Sequence, residues 1–183
     1  MTIPYRIERT KNRHSRAVIL HDTVVIRLAR RLSQWEEQRH IETLLQRMTK
    51  LVVRERTRIP IDPYLSITDE ERQDAIDLTH RINDATLRVR IGKVRLRAMR
   101  TQWGSCSHRG DITLNTALLQ LPRHLLEYVI AHELAHRIVP GHTRKFWNVV
   151  ASAFPEVDRA RRELRSFRLS ATTLPTDTPA TPR

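Results

Sequence analysis

Four side chains close together in the chain have the types and spacing of a metal centre: His132, Glu133, His136 and His142. On an α-helix, residues i and i+4 share a face one turn apart, so His132 and His136 project together. Glu133 lies about 100° round the helix, beside that face. Two neutral imidazoles bind zinc, and a glutamate between them is placed to take a proton from a water that the metal activates. A catalytic zinc takes three protein ligands and keeps a fourth position open. His142 is the candidate third ligand, because it follows Pro140-Gly141, a turn that folds the chain back. The expected centre is therefore Zn2+ on His132, His136 and His142, with Glu133 as catalytic base.

Two other zinc chemistries fit less well. The spacing equals that of H-E-x-x-H-x-x-G-x-x-H. Here, however, Val139 stands at the glycine, and Met1, Met48 and Met99 all lie upstream of where a methionine turn belongs. Structural zinc sites are four-coordinate and cysteine-rich, and the only cysteine is Cys106. We expect neither a ligand nor a nucleophile role for it.

The elements around the site must hold it. Leu126, Ile130, Leu134 and Ile138 recur every four residues and fall opposite the histidines, giving the helix an apolar back. Pro122 stands where its first turn begins. Upstream, "VRLRAM" alternates apolar and basic residues, and "RTQWGSCSHRGDITLNTALL" reads as a β-hairpin turning at Gly110 and Asp111. Downstream, Phe146, Trp147, Val150 and Phe154 form one helical stripe that stops at Pro155. A short basic helix over 156–168 follows.

The first half supplies a scaffold. Residues 5–31 read as antiparallel strands, with His21-Asp22 as a turn. Ser33 and Glu36 make a capping box for a helix whose stripe runs through Trp35, Ile41, Leu44, Leu45, Met48, Leu51 and Val52. "RIPIDPYLS" breaks it. Thr68 and Glu71 make a second capping box before a helix with Ile76, Leu78 and Ile82. The expected class is α+β. We expect one metallohydrolase domain over 1–168, with N-terminal strands and helices at 1–90 and a zinc-binding catalytic part at 91–168. The Thr/Pro-rich stretch 169–183 reads as a disordered tail.

The formal net charge is +13, and only Lys11, Lys50, Lys93 and Lys145 among the 33 basic residues are lysine. A basic surface of this kind fits phosphate-rich partners such as nucleic acid. An arginine-biased composition on every solvated face gives the same count. Arg159, Arg161, Arg162, Arg165 and Arg168 are the candidate basic helix. No apolar run reaches the ~18 residues of a membrane span, and the start of the chain lacks the apolar centre of a signal peptide. The expectation is a cytoplasmic protein without a membrane partner. Ser105, Asn115 and Tyr128 are candidate substrate-side residues. Trp103, Phe146 and Trp147 are expected to pack, Gly104 to let another backbone approach, and His108 and His124 to lie on the surface.

"QWGSCS", "ITLNTALLQLP", "YVIAHELAH", "PGH" and "FW", in that order, resemble the YgjP-like metallopeptidase family, which is related to SprT-like and small gluzincin-type zinc proteins. The resemblance covers about 97–167 well and the first half loosely. It implies a compact zincin fold, His132, His136 and His142 as ligands, Glu133 as base, and peptide-bond hydrolysis. It leaves two alternatives: a nucleotide pyrophosphatase acting on uridine triphosphate at the same metal, and a protease or binding module associated with DNA.

Overall fold

A computed structural model of the chain describes residues 4–20 and 23–170. It divides into two compact units, Met1–Arg58 and Ile59–Arg183.

In the first unit, β1 (Tyr5–Arg9), β2 (Arg16–Leu20) and β3 (Thr23–Leu28) form a sheet in the order β1-β3-β2. β2 runs antiparallel to β3, as the alternation suggests, whereas β1 pairs with it in parallel. A parallel neighbour needs a long connection, and β2 with its flanking loops supplies it. The turn expected at His21-Asp22 lies outside the described residues. Val24, Ile26 and Leu28 of the central strand pack with Met48, Ile41, Leu44 and Leu45 of α1 (Gln34–Thr57). The Ser33–Glu36 capping box forms: the Glu36 amide donates to Ser33 Oγ at 3.3 Å, and the Ser33 amide donates to the Glu36 carboxylate at 2.8 Å. Trp35, part of the apolar stripe in the sequence, is 67% exposed. It sits in the first turn of α1, and Arg39 stacks over its ring at 5.2 Å.

The second unit begins with β4 (Ile59–Ile61) and α2 (Asp69–Ala85), which is opened by the Thr68–Glu71 capping box. Then come β5 (Val94–Arg97), β6 (Gly104–Cys106), β7 (Ile112–Asn115) and a 3-10 helix (Thr116–Gln120). Helices α3 (Arg123–Ala135), α4 (Arg144–Ala153) and α5 (Val157–Leu164) lead to β8 (Phe167–Leu169). The sheet order is β5-β7-β6. β6 and β7 are the expected hairpin. β5 stops at Arg97 and pairs in parallel with β7 instead of running into the hairpin. The turn closes through the Ser107 amide on Asp111 O (2.8 Å) and the Gly110 amide on Ser107 O (2.9 Å). Gly110 has a φ of +91° there, a conformation that favours glycine.

Two three-residue strands carry no periodicity in the sequence. β4 and β8 pair in parallel, so the basic helix expected to reach 168 stops at Leu164, and Leu169 belongs to a strand. Residues 171–183, most of the expected tail, lie outside the described residues. Among the described residues no helix is long and apolar enough to cross a membrane.

The core of this unit gathers Ile112 and Leu114 of β7, Leu125, Ile130 and Leu134 of α3, and Phe146 and Val150 of α4. α3 is buried on nearly every side, since Leu125, Tyr128, Val129 and Ala131 are buried along with Leu126, Ile130 and Leu134. A helix apolar all round belongs inside a core. Ile138, the last residue of the expected apolar back, lies beyond the helix and is 45% exposed. Leu134→Ala should cost about 2–5 kcal/mol, because it empties a fully enclosed site. Urea unfolding monitored by circular dichroism checks this; a loss under about 1 kcal/mol would mean that α3 does not carry the core.

Candidate metal centre

The end of α3 and the start of α4 build the site. His132 and Glu133 occupy the last turn of α3, and His136 is its C-cap. The chain then tightens: the Ile138 and Val139 amides both donate to Ala135 O at 3.0 Å. After Pro140, the Thr143 amide donates to Gly141 O at 2.9 Å, and Thr143 caps α4 by accepting from the Phe146 amide. His142 is thus held between a turn and a helix cap.

This brings the three histidines together. One ring nitrogen from each lies within 4.8 Å of the others. His132 Nε2 and His142 Nε2 are 3.0 Å apart. Two nitrogens each about 2.0–2.1 Å from a tetrahedral ion lie about 3.3 Å apart, so the pair fits a shared metal. Phe146, fully buried, supports all three rings, with centroids 4.8, 4.6 and 4.7 Å from those of His132, His136 and His142. Trp147 stands 5.7 Å from His132 and from His142, and Arg161 stacks 4.3 Å over it. The sequence assigned Phe146 and Trp147 to packing; what they pack against is the histidine cluster.

The electrostatics suit a cation. Burial, then His136, His142 and Arg161, push the His132 imidazolium down to about 3. Burial and His142 also lower His136. Both rings are therefore neutral near pH 7 and carry lone pairs. His132 Nδ1 is buried and meets no acceptor among the described residues. Glu133 is 5% exposed, and burial raises its carboxyl from 4.5 to about 7. Three clustered imidazoles beside one carboxyl are a donor set that suits a zinc ion.

The site opens into a cleft of about 730 Å³. One wall is β6. A Cβ on Gly104 would come within 2.7 Å of Glu133 Oε1 and 2.9 Å of its Cγ, so a side chain there must displace the carboxylate. The sequence suggested close approach of a backbone; the group that approaches is the carboxylate itself. Ser105 is half-buried on the same wall. Cys106 is there too, and burial pushes its thiol up.

Asn115 and Tyr128 do not line the cleft. Asn115 is fully buried; its amide donates to Met99 O (2.8 Å) and Gln102 O (2.7 Å), and its carbonyl accepts from the Ala117 amide. These bonds leave nothing for a substrate and instead fasten the segment leading into β6. Tyr128 is 5% exposed, one turn before His132, and the two rings meet in a T-shaped contact with centroids 6.1 Å apart. His108 is exposed, as expected, and lines the cleft, while the half-buried His124 pairs with Glu163 at 2.8 Å.

Arg137 was not singled out in the sequence. Its Nε donates to Arg90 O (3.1 Å) and its Nη1 to His108 O (3.0 Å), tying the hairpin turn to the end of the histidine helix. Nothing but its place next to His136 points to it, because both acceptors are backbone atoms far away in sequence.

Gly104→Ala should therefore keep the bound metal but reduce hydrolysis on the order of 10²-fold by displacing Glu133; metal analysis alongside turnover checks it, and full activity would contradict the contact. A second outcome concerns pH. The Glu133 carboxyl is near 7 when folded and 4.5 when free, so its contribution to stability is full below about 4.5 and lost as pH rises through 7. In metal-free protein, the stability of Glu133→Gln relative to the parent should grow between those values. His132 titrates in both proteins and cancels. Urea unfolding across that range reads the difference; a flat difference would remove the burial effect.

The YgjP-like metallopeptidase domain matches residues 3–167. Among solved structures, the metallopeptidase zymogen jannalysin of Methanocaldococcus jannaschii is 24% identical with a TM-score of 0.45, covering 50% of this chain and 93% of its own. The metallopeptidase zymogen abylysin of Pyrococcus abyssi is 28% identical with a TM-score of 0.42, covering 52% and 99%. No curated protein compared with the chain matches it. Because the domain match spans both units and the whole histidine cluster, the chain belongs to the YgjP-like metallopeptidase family.

Proposed function

We propose that this protein is a zinc-dependent peptidase in which Glu133 is the general base. The observation that carries the reading is the placing of a buried carboxyl, poised near pH 7, beside three clustered imidazoles at the floor of an open cleft. Zinc on His132, His136 and His142 would polarise a carbonyl and lower the pKa of a water to about 7. Glu133 takes the proton from the attacking water and returns it to the departing amine as the C–N bond breaks. Gly104 keeps the carboxylate in place for both transfers. β6 is the edge of its sheet, so an extended peptide can pair with residues 104–106 along the cleft. Ser105 is then the candidate contact for substrate. The lone Cys106 fits a reducing compartment, and we place the activity in the cytoplasm.

A nucleoside triphosphate fits this cleft less well. Several cations must converge on such a ligand. Arg137 is the one Lys or Arg among the described lining residues, and two of its N–H groups already serve backbone carbonyls.

The test is a side-by-side assay of zinc-loaded protein on unfolded polypeptide, on nucleoside triphosphates, and on protein with DNA present. Polypeptide should be cleaved, and Glu133→Gln should retain about one metal per chain while losing turnover at least 10²-fold. Hydrolysis of triphosphate alone, or an active Glu133→Gln, would overturn the proposal.

A further inference from the structure

The charge of this chain is concentrated. Residues 1–58 hold 14 of the 33 basic residues and only 6 of the 20 acidic ones. Within this unit, the acids of the described residues are engaged locally. Glu8 accepts from Arg6 and Arg27, and Glu37 from Arg9. Glu36 closes the capping box, Glu42 accepts from Gln38, and Glu55 from Arg58. Lys11, Arg13, Arg16, Arg30 and Arg31, in contrast, are exposed, and none has a carboxylate partner among the described residues.

The sheet register collects these five cations at one end. β1 and β3 are parallel and finish together, with Arg9 opposite Leu28. The loops that follow them therefore adjoin: the Thr10 amide donates to Leu28 O at 3.0 Å, and the Ala29 amide to Ser15 Oγ at 3.0 Å. Lys11 and Arg13 lie on one loop, Arg30 and Arg31 on the other, and Arg16 starts β2 opposite Arg27. Arg31 has a φ of 61°, a left-handed conformation that glycine adopts more readily. The strain of that conformation is one that a use for the arginine side chain would offset. Four residues on, Trp35 is 67% exposed.

We infer that this end of the first unit binds single-stranded nucleic acid, with Lys11, Arg13, Arg16, Arg30 and Arg31 on phosphates and Trp35 stacking on a base. Cations along a backbone with an exposed aromatic beside them are how single strands are held. A duplex keeps its bases stacked and leaves an indole nothing to stack on. Of the 14 basic residues only Lys11 and Lys50 are lysine. That bias suits phosphate groups met bidentately rather than a diffuse anionic lipid surface. The inference does not depend on what the cleft hydrolyses.

The experiment is fluorescence anisotropy of the full chain with a labelled oligothymidylate at about 50 to 200 mM salt. Wild type should bind, with affinity falling steeply as salt rises. Arg13→Glu/Arg30→Glu/Arg31→Glu should reduce the log–log salt slope by about 2, from ~0.7 per phosphate contact on a single strand. Trp35→Ala should weaken binding about 5- to 100-fold and leave the slope alone. Arg31→Gly should raise the melting temperature while lowering affinity, which a purely structural role for Arg31 would not do. Glu133→Gln should bind like wild type, and the surface variants should keep the hydrolytic activity of the parent. No binding at the lower salt, wild-type binding by the triple variant or by Trp35→Ala, or tighter binding to phosphatidylserine vesicles than to the oligonucleotide would each overturn the inference.

Discussion

Two imidazoles, His132 and His136, and the Glu133 carboxyl sit where burial disfavours their charged states, with His142 brought against them, and the second unit is organised around that constraint. Burial keeps His132 and His136 neutral and pushes the Glu133 carboxyl to about 7. A cation relieves the crowding of lone pairs that follows. The same desolvation thus prepares the ligands and tunes the proposed base. It is available because most of α3 is buried in the core, while His132 near its C-terminal end stays half-buried and lines the cleft.

That arrangement leans on contacts from three other elements. Phe146 of α4 lies against all three rings, so α4 brings both the support and, through its cap, the third histidine. β6 comes close enough to touch the Glu133 carboxylate only because residue 104 has no side chain. Asn115 and Arg137 hold the two ends of that wall, one fastening the segment before β6 and the other the turn after it. Each uses its polar groups on backbone, which makes it a fastener of the cleft rather than a partner for substrate.

The first unit follows different physics. Its core is small, one helix on one sheet, and its distinguishing feature is electrostatic. Local acids neutralise some arginines, and the parallel pairing of β1 with β3 gathers others at one end. A basic helix near the C-terminus was the reading available from charge runs. Pairing between strands, which no charge run reports, gathers Lys11, Arg13, Arg16, Arg30 and Arg31 instead.

Local rules and long-range packing divide what could be known from the sequence. Both capping boxes, the hairpin, the helix with His132 and His136 on one face, and the turn before His142 follow from residues within a few positions of each other, where periodicity and turn chemistry act. The β4–β8 pair did not, because three-residue strands have no periodicity and a parallel partner lies more than a hundred residues away. Asn115 looked like a substrate contact because its residue type permits one; only packing shows both ends of its amide already taken. Gly104 and Arg137 owe their roles to groups brought near by the sheet and the hairpin turn. The sequence by itself determined which groups could do chemistry and along which helix they would line up. Tertiary structure alone decided which of them are desolvated, supported and left facing the cleft, because burial depends on neighbours that the local chain does not contain.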